Sequence, residues 1–416
     1  MEIIAGTYEE LTLGFSLQKI DEGYALNPSF TDHSHVGCVR AAAVSSKGVL
    51  ATGSSDETIK LFHLEKRQEL GALLHHEGSI TDLTFFGGTH MFSGSTDGTV
   101  GVWKTNRWEC IKTFKGHKGA VNSVAVHPTG KLAMTVGADK TLRLWNLITG
   151  KSAFVTNIKK VTAPDLVRWC PDGSKYLVVT RNQVDVYSVD TAKVIDTIAY
   201  EGTVHCLLFL KTGVLLAGLE DGKIAVHDLD RKEKIGEFTA HSLRVKGITT
   251  IHCKAEDKDF LVSVSSDGFV KVWDLAQEKD SVDATLIAEK NTTFRLVCVA
   301  AWSPAPKPEI DNSTSSKKAS VEKETSVKHA SEENDSSDTE SKPKKRKRKK
   351  QKVNMPPPEV QPVEKMQSPV LRKEKKQKKQ TSASETTQKK HTIPSETTKS
   401  PKLKQQKKLK KKKGKT

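Results

Sequence analysis

The 416-residue chain has few aromatics, 6% of the total, and they are unevenly placed. Residues 303–416 contain no Phe, Trp, Tyr or Cys at all. Without such side chains a segment cannot bury enough apolar area to offset roughly 1–2 kcal/mol of backbone entropy per residue. No apolar run approaches the roughly 18 residues a membrane span needs, so no membrane association is expected. The opening run, Met1-Glu2-Ile3-Ile4-Ala5-Gly6, is acidic where a secretory leader is basic, and its apolar stretch is short. The six cysteines, Cys38, Cys110, Cys170, Cys206, Cys253 and Cys298, are spread thinly, with no Cys-x-x-Cys pair. That spread supports neither a disulfide framework nor a zinc site, and it predicts free thiols in a reducing compartment. A soluble, intracellular protein is the expectation.

Charge divides the chain in the same place. The total is 67 Lys+Arg against 50 Asp+Glu, a net of +17. Residues 303–416 hold 33 and 14 of these, a net of +19, which leaves 34 and 36, a net of −2, for residues 1–302. The sequence therefore predicts two parts: a folded body over 1–302 and a disordered Lys-rich tail over 303–416. The tail is patterned. An acidic, Ser-rich patch at 331–340 precedes the block Lys342, Lys344, Lys345, Arg346, Lys347, Arg348, Lys349 and Lys350. A second block lies around 372–379, and a third carries Lys407, Lys408, Lys410, Lys411, Lys412 and Lys413. Such blocks attract nuclear import receptors and phosphate backbones. Contact with RNA would release counterions and depend steeply on salt. With no aromatic among the lysines there is nothing to stack on bases, so the expected RNA contact is non-specific. The plainer alternative is a solubility tail, which three separate blocks exceed. Ser337 with Glu340 three residues on, Ser368-Pro369 and Ser400-Pro401 are candidate phosphorylation sites whose added charge would weaken the neighbouring block. The alternative is chance serines in a disordered segment.

The body repeats. Segments ending in Phe62, Trp103, Trp145, His227 and Trp273 each place an Asp six residues earlier, at Asp56, Asp97, Asp139, Asp221 and Asp267. Apolar and polar residues then alternate, the period of a strand. A degenerate copy has Arg181 in the Asp position before Tyr187. The anchors recur at intervals of 41, 42, 42, 40 and 46 residues. A period of 40–45 with several strands per unit resembles a WD40 propeller blade. A seventh copy is split: Glu9 and Phe15 keep the spacing at the N-terminus, and 296–302 can supply the missing first strand. The predicted fold is all-β, a seven-bladed WD40 propeller closed by pairing of its N- and C-terminal strands.

The resemblance to WD40 repeats implies a buried hydrogen-bond chain in each blade. Its members would be His76, Ser93, Asp97 and Trp103 in blade two, and His117, Thr135, Asp139 and Trp145 in blade three. They would be His241, Ser263, Asp267 and Trp273 in blade six. Blade one keeps His35, Thr52 and Asp56 but has Phe62 for the Trp. A His, a Ser and an Asp together suggest a hydrolase triad. Recurrence argues against it, because a nucleophile needs one activated Ser beside one base, not several copies. Blade four has Lys160 and Leu177 in the His and Ser/Thr positions, and blade five has Tyr200, Ala217 and His227. Both blades are expected to rely on packing alone, through drift or because that side carries a partner surface. No phosphate-cradling loop or metal-ligand spacing occurs. No cofactor, metal or catalytic residue is expected.

Three classes of propeller remain in view. A ubiquitin-ligase adaptor is disfavoured, since Trp273-Asp274-Leu275-Ala276 lacks the Arg that class carries. A ribosome-assembly factor suits a neutral ring with a basic tail. A kinase-docking regulator is the third. The phrases Gly71-Ala72-Leu73-Leu74-His75-His76, Arg107-Trp108-Glu109-Cys110, 123–133 and 265–273, with the split blade and the basic tail, closely resemble the p21-activated kinase-interacting protein 1 family. That resemblance implies a non-catalytic nucleolar scaffold needed for large ribosomal subunit maturation and pre-rRNA processing. It also implies a negative regulator that binds the regulatory region of p21-activated kinase. The expected partners are pre-ribosomal proteins and rRNA, that kinase region and nuclear import receptors, with the chain itself a monomer. The alternative order of importance is a kinase-inhibitory adaptor whose nuclear location is secondary.

Overall fold

The computed structural model describes residues 1–304 apart from 22, 159, 161, 255 and 278–280. These residues form seven antiparallel four-stranded sheets, the blades of a propeller. The first strands of successive blades neighbour one another around a central axis, with the loosest approach between blades four and five. In blade three the order runs Val121–Val126, Leu132–Gly137, Thr141–Asn146, Lys151–Asn157. Burial peaks at the second strand and falls outward from it. Leu132–Gly137 is almost wholly buried, whereas Lys151–Asn157 is almost wholly exposed, as alternation between two packed faces and then one predicts.

The seventh blade is the split one. Leu296–Trp302 pairs antiparallel with Glu2–Thr7, in a register that sets Glu2 opposite Trp302 and Ile4 opposite Ala300. Thr12–Ile20 and Gly23–Asp32 complete that sheet. The closure is also a packing joint. Ile3, Phe15 and Leu17 share one apolar cluster with Phe260, Val262 and Val272 of blade six. Each such buried side chain contributes about 1.5–3 kcal/mol. Closing the ring this way leaves the inner strands as short, protected sheet edges.

The hairpins between second and third strands are tight. The residue after the anchor takes a left-handed conformation at Glu57, Gly98, Lys140, Gly222 and Gly268. At Gly222 a side chain would collide with the His241 carbonyl, so only glycine fits there. Blade four differs. There Arg181 itself is left-handed, and Thr180 pairs directly with Gln183, so the hairpin is one residue shorter. All six cysteines are free thiols; Cys170 and Cys253 are buried.

Candidate functional site

In blades two, three and six the four polar residues meet as one chain. His76 Nδ1 lies 2.9 Å from Asp97 Oδ2, His76 Nε2 lies 2.8 Å from Ser93 Oγ, and Trp103 Nε1 donates to the same Oγ at 2.8 Å. His117, Asp139, Thr135 and Trp145 repeat this at 3.0, 2.8 and 2.9 Å. His241, Asp267, Ser263 and Trp273 do so at 3.1, 2.8 and 2.9 Å. The donors fix the direction. The indole N–H can only donate, so the hydroxyl donates onward to Nε2, and Nδ1–H donates to the carboxylate. The histidine is then neutral. Burial holds His76 and His117 below the ordinary imidazole value, against the pull of their carboxylates. Blade one has His35 between Thr52 and Asp56, at 2.9 Å each, with no indole donor.

Each Asp also pins the face of the ring. Asp56, Asp97, Asp139 and Asp267 accept the backbone N–H that follows the histidine, at Val36, Glu77, Lys118 and Ser242. They accept the hairpin N–H of Thr58, Thr99, Thr141 and Phe269 as well. Burial pushes these carboxyls up, but the hydrogen bonds prevail and hold Asp56 and Asp139 at about 2. Ser93 and Ser263 are fully buried, so no substrate reaches their hydroxyls. In the split blade Glu9 plays the aspartate's part, accepting Arg295 N–H and Nε at 3.1 Å each.

Blades four and five do not rely on packing alone; their polar chains are rewired. The shorter hairpin shifts strand Lys175–Thr180 by one residue against its partner. Val178 therefore stands opposite Asp185, as Thr135 stands opposite Arg143, and Leu177 turns toward blade five. Lys160 reaches across to Asp185 at 2.5 Å and to Gln183 at 3.0 Å, and Thr197 donates to Asp185 at 3.0 Å. In blade five Tyr200 Oη lies 3.1 Å from His227 Nδ1, bridging the His and Trp positions past Ala217. Burial lowers His227 to about 4, so its ring is neutral and shares one hydrogen bond with the phenol. Sequence reasoning missed both links. The signal was a Lys with an inward Asp two strands away, and a Tyr matched to a His.

The face pinned by the aspartates carries exposed apolar side chains: Val36 at 81%, Tyr8 at 56% and Leu243 at 52% accessibility, with Arg295 stacked over Tyr8. Among the described residues no His/Cys/Asp/Glu group is arranged to hold a metal. The basic residues Lys342 to Lys350 and Lys407 to Lys413, and Ser337, Ser368 and Ser400, lie outside the described residues.

A family profile described as "WD domain, G-beta repeat" matches residues 26–63, 67–104, 108–146 and 232–274. Those stretches carry the His–Asp chains; blades four and five, where the chain is rewired, fall between matches. A Danio rerio protein named "p21-activated protein kinase-interacting protein 1-like" is 45% identical over 305 residues, 73% of this chain and 81% of its own length. The Homo sapiens "p21-activated protein kinase-interacting protein 1" is 37% identical over 308 residues, 73% of this chain and 77% of its own. At greater distance, "Shk1 kinase-binding protein 15" of Schizosaccharomyces pombe is 29% identical over 337 residues, 78% of this chain and 92% of its own. A WD40 propeller of this blade pattern, similar to such relatives over most of their length, belongs to the p21-activated protein kinase-interacting protein 1 family.

Proposed function

We propose that this chain is a non-catalytic scaffold with two separable functions. The ring docks the regulatory region of a p21-activated kinase and restrains it. The tail, by its net +19, brings the protein to the nucleolus, where it serves large ribosomal subunit assembly and pre-rRNA processing among ribosomal proteins and rRNA. The observation that supports kinase docking most is the relatives' own names, which state kinase binding from vertebrates to fission yeast. The pinned face with Tyr8, Val36 and Leu243 offers the surface: exposed apolar side chains on a backbone held by buried carboxylates. Nuclear import receptors would read the block from Lys342 to Lys350.

The test is a full-length chain with Lys342 to Lys350 and Lys407 to Lys413 neutralised, compared with wild type in cells. The reading expects loss of nucleolar location and of pre-ribosomal particles, with kinase binding kept. Unchanged location and unchanged rRNA processing on depletion would instead favour the second reading, a kinase-inhibitory adaptor whose nuclear location is secondary.

A further inference from the structure

The first strands carry a feature that repeats like the histidine chains but varies in residue type. In six of seven blades the pairing of first with second strand skips one residue. The skipped residues are Arg40, Thr81, Asn122, His205, Lys246 and Val297. Such a bulge re-aims a side chain. Here all six line one cavity of about 370 Å³ on the propeller axis, at the mouth nearest the pinned face. Blade four has no bulge and contributes Arg168 instead.

The charge of this ring is one-sided. Arg40, Arg168 and Lys246 line it, and Asp82 is the one carboxylate among its lining residues. Asp82 is already engaged by Ser123 Oγ and Val124 N–H at 2.9 Å each and by Arg168 at 3.5 Å. Arg40 and Lys246 have no hydrogen-bond or ion-pair partner among the described residues. His205 Nε2 is buried and equally unpartnered. Burial, with Arg244 nearby, holds Lys246 below the usual lysine value, and burial, with Lys246 nearby, lowers His205 to about 4. Lys246 is half-buried and Arg40 exposed, and Glu220, the carboxylate that acts on Lys246 and His205, lies outside the lining, so the cavity's positive charge is not balanced within it.

We propose that the axial cavity binds a phosphoryl group, held by Arg40 and Lys246 as cations. Arg and Lys suit a phosphate oxygen in charge and in donor number. The phosphoryl group can belong to a small polyphosphate or to a phosphoserine side chain. This inference is independent of the kinase reading.

The experiment titrates the full-length chain with sodium pyrophosphate, and separately with a short phosphoserine peptide, at fixed ionic strength. Thermal unfolding and calorimetry are read together. At least one phosphate is expected to raise Tm. Lys246→Ala is expected to weaken it about ten-fold, the loss of roughly one charge-assisted hydrogen bond. Arg40→Ala with Lys246→Ala is expected to abolish the shift. Lys246→Met, which keeps the apolar stem, repeats the test should the alanine variant fold poorly. A variant with Lys410 to Lys413 replaced by Ala is expected to keep the shift. The more tightly held probe identifies the source. Absence of any shift, or a shift lost with the tail variant and kept in the Arg40/Lys246 double variant, overturns the proposal.

Discussion

Blades two, three and six differ from blades four and five in how they hold the same architecture. The first group threads one hydroxyl between an indole and an imidazole and ends on an aspartate that also grips two backbone N–H groups. The second group abandons the hydroxyl. Blade four replaces it with an ion pair from Lys160 to Asp185 on the third strand, and blade five with a direct Tyr200–His227 bond. The difference teaches that the residues supplying a polar link from a blade's entry loop to its third strand are exchangeable. It also teaches what is lost. Asp221 of blade five binds only its own hairpin, through Lys223, and pins no entry loop.

That contrast can be broken most strongly at its firmest point. Asp139→Ala takes the carboxylate from His117 Nδ1, which keeps only Thr141 Oγ1 at 3.1 Å, and from the Lys118 N–H, and is expected to cost about 2–4 kcal/mol. Asp221→Ala, at the matching position, is expected to change stability by less than about 0.5 kcal/mol. Chemical denaturation of both variants measures the gap; equal losses would undo the distinction. Asp185→Ala leaves Lys160 without its carboxylate. Because Lys160 is 26% exposed and recovers water, the expected loss is about 2 kcal/mol, below that of a fully buried pair. Tyr200→Phe removes one hydroxyl and is expected to cost about 1 kcal/mol. Phe62→Trp offers blade one the donor it lacks toward Thr52, with an expected gain below about 1 kcal/mol. A loss would mean that the blade-one site is too small for an indole.

Acid sharpens the same comparison. The lowered histidines, His76, His117, His205 and His227, are neutral when folded, so their contribution is present above the unfolded value of 6.5 and fades as pH falls below it, for His205 and His227 through about 4. Asp56 and Asp139 contribute above 3.8, and that part is lost as pH falls through about 2. Tm should therefore fall in two stages on acidification. His227→Phe is expected to flatten the first stage.

The sequence made the ring, the split blade and the four His–Asp pairs legible, because fixed spacings tie those residues to one another. Blade four was misread at Leu177, because a hairpin shortened by one residue moves every side chain of its strand to the other face, and nothing in residue type marks the slip. The axial ring of Arg40, Thr81, Asn122, His205, Lys246 and Val297 was invisible for a different reason. Its members share a backbone irregularity and no chemistry that a repeat search detects.

The account's central claim is that the face stiffened by the aspartates is where the kinase docks. The direct measurement is the affinity of the full-length chain for a p21-activated kinase regulatory region, with Val36→Asp and Leu243→Asp combined. The control is Ile148→Asp, which is 74% exposed on a hairpin at the opposite end of blade three. The account predicts that the double variant weakens binding more than about ten-fold, with Tm unchanged and the control unaffected. Undiminished binding by the double variant, or equal loss in the control, would contradict it.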